Sequence, residues 1–151
     1  MTLPMLVLTT FGVCLAGAFI PIVNTEIYLL SVSAVSPAEF VIPLVVAATV
    51  GQMAGKVVMF YAGRGMLKIP NGKFQDRVLK MREQLEKRPW VAKATLFSSA
   101  TTGLPPLYVM ALVSGTVGMG IFSFITIGTV GRLIHFAVVA VFPQWAKILL
   151  G

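Results

Sequence analysis

The stretch Phe19-Ile20-Pro21-Ile22-Val23-Asn24-Thr25-Glu26-Ile27-Tyr28-Leu29 decides how this chain folds. It places one carboxylate and a helix-breaking proline inside an apolar run. Residues Met1 to Ala38 carry no other charged side chain. A lone carboxylate in a bilayer costs roughly 3 kcal/mol or neutralises, so it marks a site for an ion, a proton or a polar substrate. The plainer reading, that Glu26 only reaches a membrane surface, fits poorly with a proline five residues earlier.

Composition supports the membrane setting. Of the 151 residues, 57% are hydrophobic and 11% charged, and the mean hydropathy is +0.90. Soluble domains carry about a quarter charged residues. The net charge of +7 is concentrated. Residues 64–93 hold nine basic and three acidic side chains, and short basic loops stay on the cytoplasmic side. That cluster sets topology and does not indicate nucleic acid. Met1 to Phe19 lacks the basic start of a secretory signal. Cys14 is the only cysteine, which excludes an intramolecular disulfide and reads as packing.

Two apolar runs are too long for one membrane crossing and too interrupted for two. Ala94 to Gly131 would extend about 57 Å as a straight helix, against a hydrocarbon core of about 30 Å. Gly103-Leu104-Pro105-Pro106 must fold it back. Lys93–Thr102 and Leu107–Val117 are then arms of a re-entrant hairpin. Met1 to Ala38 repeats the plan, with a break at Pro21 to Thr25 and a second arm from Glu26 to Ala34. Its first arm, Met5 to Phe19, reads equally as half a hairpin or as a nearly complete span.

Each hairpin precedes one full span, Phe40–Ala62 and Gly120–Phe142. Thr-Val-Gly recurs in both, at Thr49-Val50-Gly51 and Thr129-Val130-Gly131. A hairpin plus one span reverses orientation between the halves, which is inverted-repeat logic. The expected fold is therefore an all-α integral membrane domain, an inverted repeat of re-entrant helical hairpin plus transmembrane helix. Residues 1–64 and 93–151 form the halves, and 65–92 a basic connector. In that connector Phe74, Val78, Met81 and Leu85 share one helix face. Lys73, Arg77, Lys80, Arg82, Lys87 and Arg88 supply charge, Asn71 is a candidate N-cap, Pro89 a stop and Trp90 an interfacial residue. This predicts an amphipathic helix on anionic lipid headgroups. Pro143-Gln144-Trp145-Ala146-Lys147 reads as another interfacial anchor.

The candidate site follows. Glu26 begins an outgoing half-helix, and Asn24, Thr25, Thr101 and Thr102 are placed to complete its hydrogen bonding. Arg132 lies too deep for easy snorkelling and should face inward, pairing with Glu26 or a bound phosphate. His135 shares its face at i+3, either as a proton relay or as a packing residue. Lys56 lies near enough to the inner boundary for its stem to carry the ammonium to headgroups. Gln52 is one turn from it, and Gly51-x-x-x-Gly55 suits helix packing. Sequence shows no phosphate loop, metal-binding histidine pair or cofactor motif. A Ser/His/Asp triad would need Asp76, in the basic segment, far from His135. The chain is expected to be no enzyme.

Phe19 to Leu29, Gly51-Gln52 through Tyr61-Ala62-Gly63-Arg64, Leu104-Pro105-Pro106 with Ser114-Gly115, and Gly131-Arg132 together resemble motifs of the DedA superfamily. Its members are also called VTT-domain or SNARE-associated membrane proteins, and the chain looks closest to the short YqaA-like branch. The resemblance runs from Phe11 to Phe142. It implies two re-entrant hairpins and transport of an anionic lipid, a polyprenyl-phosphate or a phospholipid, across the bilayer. The family's second motif often has two arginines flanking its proline; Thr102 and Tyr108 stand here, with Lys56 and Arg132 as substitutes. An acidic residue common in its first span is Gln52. Two other readings are a proton-coupled exporter of a small molecule or ion, and a non-transporting membrane scaffold. The expected setting is the cell (inner) membrane as a multi-pass protein, in a homo-oligomer that covers intramembrane polar groups.

Overall fold

A computed structural model describes residues 2–20, 22–65 and 72–151, with the side chain of Phe74 excepted. Pro21 and the candidate cap Asn71 lie outside the described residues. Every element is helical among them: α1 Leu3–Phe19, α2 Thr25–Val35, a 3-10 turn Ala38–Phe40, α3 Val41–Gly65, α4 Lys73–Glu86, α5 Pro89–Thr102, α6 Leu107–Thr116 and α7 Ile121–Leu150. Two are long and apolar enough to cross a membrane: α3 with its preceding turn, Ala38–Gly65, and α7. At 1.5 Å per residue the 30 residues of α7 extend about 45 Å. Helices α1, α2 and α6 are apolar but shorter.

The chain forms two compact units, and the division cuts through α3 and α7. One comprises residues Met1–Gly55 with Arg132–Gly151, the other Lys56–Gly131.

In the first unit, Cys14, Leu29, Leu44, Ala48, Phe136 and Ala140 form a core with no exposed surface. Cys14 is packing, as its sequence setting suggests. Gly51 and Gly55 face α1 so closely that a Cβ would strike the Phe11 carbonyl oxygen and the Ala18 side chain respectively. The glycine pair serves helix packing. Helix α7 does not stop at Pro143, which sits inside it and is buried.

In the second unit the break at Gly103–Pro106 appears as expected. Gly103 adopts φ +81°, a left-handed cap that costs glycine little, and ends α5. The Ser98 and Thr102 hydroxyls then bond to the Leu104 carbonyl at 3.3 Å, and the Ser99 hydroxyl donates to the Pro105 carbonyl. Pro106 precedes α6. Helix α5 begins at Pro89, four residues before the expected start of that arm. Pro89 does not stop the amphipathic helix, which ends at Glu86; it occupies the first turn of α5, where a missing N–H leaves no bond unmade.

Helix α4 differs from the surface helix read from sequence. Val78 is fully buried and Leu85 is 7% exposed, because α4 packs on α5 and α6. Val78 and Leu85 of its apolar face are thus covered by protein, while Met81 is half-buried. Lys73, Arg77, Lys80, Lys87, Arg88 and Trp90 remain exposed, while Arg82 is half-buried and pairs with Glu86 at 3.3 Å. Their contribution to any lipid contact rests on charge and on Trp90.

The tightest packing joins α3 to α6. A Cβ on Gly115 would overlap the Phe60 carbonyl oxygen, and one on Gly63 the Leu112 carbonyl. Phe60 and Phe124 stack beside this crossing at 4.9 Å between ring centroids. Gly115→Leu is therefore expected to cost about 2–3 kcal/mol, the upper part of the overpacking range, because the obstacle is backbone. Reversible denaturant unfolding in detergent micelles checks it; wild-type stability would contradict the packing.

Candidate functional site

Glu26 lies in the first turn of α2, and the local sequence explains why the helix starts there. The Asn24 side-chain oxygen accepts from the Glu26 and Ile27 amides at 3.0 Å each, an N-cap that satisfies two orphan donors. A carboxylate in that turn also favours the positive end of the helix dipole. Asn24 therefore organises the backbone under Glu26 and does not bind its carboxylate.

The carboxylate is met from α7. His135 Nε2 lies 2.9 Å from Glu26 Oε1, and Arg132 Nη1 lies 3.9 Å from the same oxygen. The expected pairing of Arg132 with Glu26 is present as an ion pair, but the direct hydrogen bond belongs to His135. The three side chains differ in exposure: Arg132 is 6% exposed, His135 14% and Glu26 47%. A buried cation thus faces a carboxylate that opens outward.

Arg132 is under-satisfied. Among the described residues, neither its Nε nor its Nη1 has a hydrogen-bond partner, and its Cζ lies 5.5 Å from the Phe136 ring centroid. A guanidinium carries five donors in a planar fork suited to carboxylate or phosphate oxygens. Desolvating it against one carboxylate at 3.9 Å is a poor exchange for stability alone, since a buried charge is favourable only with good geometry and satisfied donors.

A second polar pair adjoins the first along the chain. Gln52 Nε2 donates to Thr25 Oγ1 at 3.1 Å, both residues being 5% exposed, while Gln52 Oε1 has no partner among the described residues. Gln52 and Arg132 each follow a copy of Thr-Val-Gly. The residue after each copy therefore reaches one of two consecutive positions, Thr25 and Glu26. This is the most specific correspondence between the long helices.

Other expected members are placed elsewhere. Lys56 is 4% exposed and belongs to the second unit, its Nζ 5.9 Å from the Tyr108 ring centroid and 4.0 Å from the Met59 sulfur. It is buried in that unit and does not extend to a surface. The Thr101 and Thr102 hydroxyls donate to the Phe97 and Ser98 carbonyls of α5 itself. Gly103, Pro105 and Pro106 shape the break between α5 and α6. Gln144 and Lys147, read from sequence as part of an interfacial anchor, bond to α2: Gln144 Nε2 donates to Ser33 O at 2.8 Å and Lys147 Nζ to Ala34 O. Their polarity on an otherwise apolar helix end was the available signal. Which carbonyls they would meet depends on tertiary packing. Among the described residues no group of three or more His, Cys, Asp and Glu side chains forms a metal site.

Comparison of the chain with protein-family models, with curated proteins and with solved structures finds no match.

Proposed function

We propose that this chain is a DedA-like membrane transporter that carries an anionic lipid across the bilayer, with Glu26, His135 and Arg132 as its working groups. In this reading α1–α2 and α5–α6 are re-entrant hairpins of an inverted repeat, α3 and α7 cross the membrane, and the basic segment 65–92 is cytoplasmic. The observation that carries it is the buried Arg132 guanidinium, with two nitrogens lacking hydrogen-bond partners among the described residues, set against a half-exposed carboxylate.

The chemistry follows from that asymmetry. A phosphate headgroup supplies oxygens to Arg132 Nε and Nη1, the donors that have no hydrogen-bond partner among the described residues. Glu26 is the protonatable gate of this reading, and His135, in hydrogen-bond contact with it, is the group placed to pass a proton to and from it. The acyl or prenyl tail stays in lipid throughout. A cationic substrate would instead meet Arg132 as a like charge.

The test is reconstitution in liposomes with a headgroup-accessibility assay, using a phosphate-bearing lipid and a zwitterionic control. Faster exchange of the anionic lipid than in protein-free vesicles supports the reading, and unchanged exchange overturns it. His135→Gln keeps a hydrogen-bonding side chain beside Glu26 but has no ring to relay a proton. It is expected to slow exchange at a fixed pH by at least about tenfold, the lower part of the general acid–base range being about 10²-fold. A rate identical to wild type would remove His135 from the proton path.

A further inference from the structure

Helix α2 is held by α7 at both ends. At its start Glu26 meets His135. At its finish the last carbonyls lack intrahelical donors, and these orphans require partners when buried. The Ser36 amide returns to the Val32 carbonyl. Gln144 donates to the Ser33 and Ser36 carbonyls at 2.8 and 3.4 Å, and Lys147 donates to the Ala34 carbonyl. A lysine ammonium there also suits the negative end of the α2 dipole. Both sets of contacts run in the same direction along the two helices.

Between these polar ends lies apolar packing. Leu29 of α2 sits in one core cluster with Phe136 and Ala140 of α7. Such packing is non-directional and tolerates sliding. A slip of one helical turn, about 5.4 Å, would carry the Glu26 carboxylate out of hydrogen-bond range of His135. Polar contacts across a helix pair resist that slip, because a displaced donor meets no acceptor.

We infer that Gln144 and Lys147 are positioning residues that fix the axial register of α2 on α7 and thereby seat Glu26 against His135 and Arg132. Neither touches Glu26. The inference takes Glu26 as the working carboxylate, yet register is measured without any transport assay, so the two readings can fail separately.

The experiment uses the full chain in lipid nanodiscs with Cys14→Ala. Cysteines replace Glu26 and His135, which removes the ion pair and leaves the far end to hold register alone. A short bifunctional thiol reagent reports their proximity. A second pair at Leu8 and Val46, which line one groove of the same unit, reports its general integrity. Gln144→Met with Lys147→Met is expected to slow crosslinking of the 26–135 pair at least about fivefold, while the 8–46 pair stays within about twofold, as loss of two to three hydrogen bonds permits. Lys147→Arg, which still donates, should restore the rate when Gln144 is kept. An unchanged 26–135 rate overturns the inference, and so does an equal loss at both pairs. If the double variant does not purify as a folded protein, Gln144→Met alone is judged by the same two criteria.

Discussion

Arg132→Met should slow translocation of a phosphate-bearing lipid by at least about 30-fold while leaving the protein close to wild-type stability. The two halves of that expectation have different physical origins. Truncating one member of a buried, hydrogen-bonded charge contact costs about 2–5 kcal/mol of binding, and 1.4 kcal/mol is a factor of ten. The guanidinium supplies the only donors proposed for the headgroup, so the loss should fall on transport. Stability behaves otherwise. Methionine fills a similar volume without charge, and the wild-type guanidinium has two nitrogens with no hydrogen-bond partner among the described residues. Replacing a poorly satisfied buried ion by an apolar side chain is often neutral or stabilising. Glu26, left behind, is nearly half exposed and remains hydrated. Exchange kinetics in liposomes and unfolding in micelles test the two statements on one variant. Wild-type transport in Arg132→Met would end the phosphate role. Collapse of the fold would mean that the arginine is chiefly structural.

Glu26→Gln should be the more damaging change to the fold, by about 3 kcal/mol, the low end for breaking a buried pair because Glu26 is partly hydrated. Glutamine preserves shape and still hydrogen-bonds to His135. Among the described residues it removes the only carboxylate set against Arg132, leaving there a cation 5% exposed without that counter-charge. The double variant Glu26→Gln/Arg132→Met removes both charges and is expected to recover to within about 1 kcal/mol of Arg132→Met alone, a coupling that a double-mutant cycle reads directly. Additive losses in the cycle would show that the two charges do not sense each other.

The ordering of those variants was not available from the residues alone. A carboxylate at Glu26 and a guanidinium at Arg132, each isolated in apolar sequence, were legible as partners because an uncompensated charge in lipid is too costly to leave alone. The sharing of one carboxylate oxygen between His135 and Arg132, and the closer approach of His135, depend on how α7 is rotated against α2. Lys56 shows the same limit. Its position near a helix end suggested an ammonium at a surface, and packing around Tyr108 buried it instead.

Helix breaks were the part of the fold that sequence determined by itself. The break at Gly103–Pro106, the helix start beside Glu26 and the two apolar helices α3 and α7 follow from local rules: which residues lack a backbone donor, and how long an apolar run lasts. Tertiary structure decided what those rules leave open. It turned Pro89 from a stop into a start, buried Val78 and Leu85 of α4 under α5 and α6, and carried α7 through Pro143 so that Gln144 and Lys147 reach the end of α2. Backbone chemistry acts within about one turn and is written residue by residue. Burial and register arise between helices far apart in the chain, where apolar side chains accept many partners and only the assembled contacts choose among them.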